Sequence, residues 1–126
     1  MNLKSYFESI EGTGVLSTAD DEGNVNCAIY AAPHVIDRDT VAFIMRSRKS
    51  YNFVSSNPNA AYLFMEEDSS YRGVRLTLVK TEESSDPDEV NEMRRSFRGG
   101  ADEGPARIVH FKVTEARPLV GEKFPE

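Results

Sequence analysis

A mainly-β domain, built as a small antiparallel barrel with helices at its edges, is the fold this sequence predicts. Three observations carry the expectation. About six apolar stretches have strand length, most are joined by tight turns rich in Asp, Gly and Asn, and only three segments repeat apolar residues at helical spacing. Connections this short favour antiparallel pairing, and so few crossovers argue against a doubly wound parallel sheet.

Asn2 to Glu11 sets Leu3, Tyr6, Phe7 and Ile10 on one helical face, and Gly12 and Gly14 are expected to end that helix. Val15 to Thr18 reads as a strand, and Asp20-Asp21-Glu22-Gly23-Asn24 as the turn of a hairpin. The partner strand runs from Val25 to Ile36, with Pro33 marking an edge, bulge or bend. Asp37-Arg38-Asp39 turns the chain into the strand Thr40 to Met45. Ser47 to Asn57 then reads as a short helix with Ser47 as its N-cap, stopped by Asn57-Pro58-Asn59. Ala60 to Met65 is a compact apolar strand, and Tyr71 to Thr81 alternates with Val74, Leu76 and Leu78 on one side. Asp86 to Phe97 opens with acids and closes with Arg94, Arg95 and Arg98, as a helix dipole favours, before Gly99 and Gly100. Ala101 to Pro105 is read as a loop, and Ile108 to Val113, continued by Ala116 to Val120, as the last strand.

The 126 residues fit one domain over 1–126, large enough to fold without disulfides. Fifteen Lys and Arg stand against 21 Asp and Glu, a net charge of −6, which argues against nucleic acid or an anionic membrane as partner. Cys27 is the single cysteine, so an intramolecular disulfide and a cysteine zinc site are excluded. Residues 1–10 hold no apolar run of signal-peptide length, and no stretch approaches the ~20 apolar residues of a membrane helix. The expected location is the cytoplasm.

Phosphate loops of the GxxxxGK[ST] kind, GxGxxG turns and GxSxG elbows are absent. His34 and His110 form no motif and read as packed or surface histidines, and Cys27 as a small core residue. Glu66-Glu67-Asp68 and Glu82-Glu83 read as solvated turns. With no acid, base or nucleophile in view, enzymatic chemistry here would fall to a cofactor. Arg46-Ser47-Arg48-Lys49 stands apart: three cations and a hydroxyl at a strand's end and a helix's start. Free N–H groups and the dipole at a helix N-terminus attract an anion, and Arg and Lys can grip a phosphate. A solvated basic turn is the alternative.

The stretch from Ala19 to Val79 resembles the FMN-binding split-barrel family, whose best-known members are the pyridoxamine 5′-phosphate oxidases. It is carried by DEGNVNCAIYAAPHVIDRDTVAFIMRSRKSYNFVSSNPNAAYLFM and YRGVRLTLV, about half of the chain, with SRK opening a helix that ends in NP. The resemblance implies a six-stranded antiparallel split β-barrel and a homodimer with FMN at the interface. The strand matching Ala28, Ile29, Tyr30 and Ala31 through Pro33 would lie along the flavin, with Ala42 and Phe43 bordering it. Arg48 and Lys49 would hold the FMN phosphate, supported by Arg46 and Ser47, and residues near Gly73 would approach the partner's flavin. Tyr30 is the side chain expected to touch ring or substrate, its other reading being a strand aromatic facing the barrel.

Vitamin-oxidising members begin the flavin strand with Arg and end it with Lys, where this chain has Ala28 and Pro33. Pyridoxamine-phosphate oxidation is therefore not expected, and the resemblance is to the short flavin-binding and flavin-reductase-like members. The implied function is hydride or electron transfer through flavin between a donor and a small-molecule substrate. The alternatives are a non-catalytic FMN carrier or sensor, and a relative using deazaflavin or haem, for which His34 or His110 would have to reach iron.

Overall fold

A computed structural model describes residues 2–95, 106–122 and 124. Along the chain run α1 (Leu3–Ser9), β1 (Gly12–Ala19), β2 (Val25–Ile29), β3 (His34–Asp37), β4 (Thr40–Arg46) and α2 (Lys49–Ser56). There follow β5 (Asn59–Glu66), β6 (Gly73–Ser84), α3 (Pro87–Arg95) and β7 (Ala106–Pro118). The described strands form one antiparallel sheet of seven in the order β2-β1-β5-β6-β7-β4-β3.

Seven strands appear where six were expected because Val25 to Ile36 is not one strand. It divides at Tyr30-Ala31-Ala32-Pro33 into β2 and β3, which lie at opposite edges of the sheet. Four residues therefore join the two edges, and the sheet must curl to let them do so. Tyr30 shows the closure directly. Its N–H donates to the Gly14 carbonyl of β1 at 3.0 Å, while its ring meets Phe43 of β4 edge-on at 5.6 Å. The result is a split barrel.

Gly12 and Gly14 do not break the first helix; both lie inside β1. At Gly14 the need is close approach, since a Cβ there would overlap the Tyr62 hydroxyl and the Tyr30 carbonyl oxygen. Helix α1 ends at Ser9, its start capped by Asn2, whose Oδ1 accepts from the Ser5 N–H at 3.0 Å. Gly23 turns the β1–β2 hairpin at φ 88°, a conformation that other L residues adopt rarely.

Side-chain alternation along the strands fills the barrel with one face. Cross-strand rows place Leu16 beside Tyr62 and Tyr62 beside Leu76, with Phe64 beside Val74 one row on. These residues are essentially inaccessible to water, as are Val41, Met45, Leu78, Val109 and Phe111. Each such side chain contributes roughly 1.5–3 kcal/mol by leaving water. Leu3 of α1 and Val54 of α2 join the same core. A second, smaller core lies on the other face of β4 and β7, where Val90 and Met93 of α3 cover Ala42 and Ile108. Asp88 and Glu89 occupy the first turn of α3, as its dipole favours. The expected continuation of that helix to Phe97, with Arg98, Gly99, Gly100 and the loop Ala101 to Pro105, lies outside the described residues.

The last strand is one continuous element, Ala106–Pro118, rather than a strand with an appended edge. Two irregularities in its pairing with β6, after Thr77 and after Lys80, allow so long a ribbon to bend around the barrel. No helix among the described residues is long and apolar enough to cross a membrane.

Candidate functional site

The bend between β2 and β3 is held from several sides, and the hollow beside it follows from that. Besides the bond to Gly14, the Tyr30 carbonyl accepts from the Tyr62 hydroxyl at 3.0 Å. Burial pushes the Tyr30 phenol above its ordinary pKa, against the opposing pulls of a hydrogen bond with Ser50 and the nearby Arg48 charge. The phenol therefore stays protonated at neutral pH. Ser50 is itself 4% exposed and accepts from Asn26 Nδ2 at 3.1 Å. Tyr30 thus connects the bend to the first turn of α2.

A cavity of about 200 Å³ opens at this bend. Ile29, Tyr30 and Ala31 line it from the bend, and Ala42, Phe43 and Arg46 from β4. Two further residues complete its polar character: His34, at the start of β3, and Arg94, reaching in from α3. The walls are mostly apolar and partly aromatic, with two guanidinium groups, a combination suited to a flat heteroaromatic ring carrying polar or anionic edges. Burial lowers the pKa of His34, so its imidazole is neutral at pH 7.

Six of the ten residues expected at the site, Ile29, Tyr30, Ala31, Ala42, Phe43 and Arg46, line this cavity. Ala28, Ser47, Arg48 and Lys49 do not. Ala28 stands in the cross-strand row with Leu16 and Tyr62, half-buried on the core-facing side of β2. Ser47, Arg48 and Lys49 are exposed where β4 passes into α2, on the side to which the Tyr30 hydroxyl points. Ser47 is not the helix cap. Arg48 occupies that position with extended backbone and no capping side chain, and its N–H turns back to the Arg46 carbonyl at 2.7 Å. Ser47 Oγ instead accepts a hydrogen bond from Arg107 Nη1 at 2.6 Å.

Arg107, like Arg94, is a group that sequence reasoning missed. It sits on β7 opposite Met45, lies 4.4 Å from the Tyr51 ring centroid and approaches Glu83 at 3.5 Å. Tyr51 and Lys80 also hold Glu83, at 2.8 and 2.7 Å. The Lys80 hydrogen bond is the chief reason the Glu83 carboxyl lies below its ordinary pKa. No local pattern could have brought residue 107 to residue 47, because only the β4–β7 pairing does so.

On the other side of the bend lies an open groove of about 1030 Å³, bordered by Glu8, Glu11, Glu66, Glu67 and Asp68. Ala31, Ala32 and His34 line both groove and cavity, so the bend is a thin wall between them. Two expectations need correction. Cys27 is exposed rather than in the core, because residues 25, 27 and 29 of β2 face outward. Glu82 and Glu83 lie within β6 rather than in a turn. His110 lies two strands from His34 with Ala42 between them, and does not line the cavity.

No family model matches the chain, and no curated protein is significantly similar to it in sequence. Solved structures do share its fold. An FMN-binding protein from Syntrophomonas wolfei subsp. wolfei superposes with a TM-score of 0.78 at 17% identity, covering 94% of this chain and 84% of that one. HupZ of Group A Streptococcus gives 0.75 at 12% identity, with coverage of 98% and 96%. An F420 reductase gives 0.63 at 20% identity, with coverage of 89% and 94%. At these identities the likeness establishes the fold, and that fold is the split barrel which residues 19–79 resemble.

Proposed function

We propose that this split-barrel chain binds FMN and uses it as an oxidoreductase, passing hydride or electrons between a reduced donor and a small-molecule substrate. One observation carries the reading. Residues from two separate stretches, Ile29 to Ala31 on one side and Ala42 and Phe43 on the other, converge on a single cavity, and the resemblance implies that these same residues border the flavin. The fold shared with an FMN-binding protein supports it.

The residues present fit such a cofactor. Ile29, Ala31, Ala42 and Phe43 offer apolar walls to a planar ring, and Arg46 and Arg94 offer positive charge to its polar edge. Ser47, Arg48 and Lys49, at the start of α2, offer donors to a phosphate. Bound flavin would supply reversible acceptance of a hydride or of single electrons. The protein's part is to orient the ring, keep water from it and tune its charge environment. Among the described residues that line the cavity, His34 has the side chain whose ordinary pKa lies near neutrality, which makes it the residue placed to take up or release a proton beside the ring.

The proposed assembly is a homodimer. A cavity of about 200 Å³ is smaller than the roughly 300–1,000 Å³ that enclose a typical organic ligand, so a second protomer would supply the missing wall. An apolar outer face is available for it. Ile29, Val15 and Leu63 stand in one cross-strand row, with Ile29 72% and Val25 79% exposed. A cytoplasmic setting agrees with the single unpaired Cys27.

The deciding experiment is the visible spectrum of the purified protein before and after adding FMN and desalting. Flavin bands that travel with the protein support the proposal, and turnover with NADH or NADPH then separates an oxidoreductase from a carrier. Protein that releases all added FMN refutes it. A deazaflavin is the second reading, favoured by the likeness to an F420 reductase, and titration with that cofactor tests it.

A further inference from the structure

We propose that Arg107 is a positioning residue that turns Ser47 into a dedicated hydrogen-bond donor for the phosphate held beside Arg48 and Lys49. The inference rests on the FMN reading above and concerns how the phosphate end of that site is set.

A serine hydroxyl has one proton to donate and two lone pairs, whereas a guanidinium only donates. Because Arg107 Nη1 donates to Ser47 Oγ at 2.6 Å, Ser47 accepts in that contact and its own proton must point elsewhere. Ser47 is exposed at the mouth of the basic turn, so the proton is available to an incoming anion. Donation from a cation also polarises the hydroxyl, and charge-assisted bonds of this kind are the stronger ones. The chain Arg107, Ser47, phosphate is thus aligned before the ligand arrives.

Arg107 is fixed for this task. Its guanidinium stacks over Tyr51 at 4.4 Å, and its Nε faces Glu83 at 3.5 Å. Glu83 is in turn anchored by Tyr51 and Lys80. Contacts at Nε, at Nη1 and on the face of the Tyr51 ring fix the guanidinium plane, so the residue acts chiefly through the geometry it imposes on Ser47. Lysine cannot reproduce that geometry. Its ammonium is a point charge without the planar fork that serves Glu83 and Ser47 at once.

The test measures FMN and riboflavin affinities for the intact chain and for Arg107→Gln, Arg107→Lys, Ser47→Ala and the double variant Arg107→Gln/Ser47→Ala. Both Arg107 variants should weaken FMN about five- to tenfold, the scale of one ordinary hydrogen bond, because Ser47 keeps its hydroxyl and loses its alignment. Riboflavin, which lacks the phosphate, should be unaffected, and Arg107→Gln should add nothing once Ser47 is alanine. Full affinity in Arg107→Lys would overturn the proposal in favour of simple charge. Equal losses for the two flavins, or an undiminished Arg107 effect without Ser47, would overturn it in favour of a structural role. An unaltered chain that binds FMN no better than riboflavin would refute the phosphate reading itself, and this inference with it.

Discussion

Gly14→Ala tests whether the closure of the barrel is what the structure says it is. The added methyl would overlap the Tyr62 hydroxyl and the Tyr30 carbonyl oxygen, the two groups whose 3.0 Å hydrogen bond holds the bend. Overpacking of a close-packed site costs about 1–3 kcal/mol. Losing the Tyr62–Tyr30 bond adds about 1 kcal/mol. The expected destabilisation is therefore about 2–4 kcal/mol, a large share of the roughly 5–15 kcal/mol that hold a typical domain together. Urea denaturation followed by far-UV circular dichroism would read it as a lower midpoint at unchanged slope. Gly23→Ala is the comparison: φ is 88° there but no atom lies near the new methyl, so only backbone strain of about 1 kcal/mol applies. A Gly14→Ala protein within about 0.5 kcal/mol of the parent, or less affected than Gly23→Ala, would refute the clash and the closure argument built on it.

Arg48→Ala should weaken FMN by about 1.5–3 kcal/mol and leave riboflavin unchanged, as paired fluorescence titrations would show; equal losses would mean that the residue acts through folding. Burial lowers the pKa of His34 from 6.5, so the unfolded chain takes up that proton first. Stability should be complete above pH 6.5 and decline as pH falls from there toward the lowered value. Denaturant midpoints between pH 7.5 and 5 should therefore drift down, and His34→Gln should flatten the drift. The acids Asp20, Asp37 and Glu83, held below their ordinary values of 3.8 and 4.5, keep their stabilising contribution across this range and lose it only as pH falls further. Ile29→Lys or Leu63→Glu should convert a dimer into monomers by sedimentation velocity, while a dimer that survives both changes would place the interface elsewhere.

Most of the fold was legible because its turns and alternation are local. The Asp20 to Asn24 turn is written in its residues: Asp20 Oδ1 accepts from the Asn24 N–H at 2.8 Å. The alternation of Val74, Leu76 and Leu78 likewise gave the buried face of β6. The division of Val25 to Ile36 was not legible. Pro33 signals a bend, but only the Gly14, Tyr62 and Phe43 contacts with Tyr30 show that the two halves lie at opposite sheet edges. Glycines 12 and 14 misled for the same reason: their role is close packing against distant residues, while sequence position beside a helix suggests a break. At the candidate site, the cavity residues on β2 and β4 were found through resemblance to a known arrangement. Arg94 and Arg107 arrive from α3 and β7, and long-range pairing leaves no trace in spacing.

The strand order also bears on how the protein is made. The β3–β4 hairpin, which carries Ala42, Phe43 and Arg46, pairs with nothing synthesised before it, since β1 and β2 belong to the far edge. Its inner neighbour is β7, and the partner of Arg46 is Ala106, sixty positions further along. At ribosomal speeds of about 5–20 residues per second, that interval lasts roughly 3–12 s. For those seconds the edge of β4 that will meet β7 stays open, a template for wrong pairing. The walls of the cavity would thus be among the last parts of the nascent chain to come together, and the growing polypeptide would depend on chaperones most between the synthesis of β4 and that of β7.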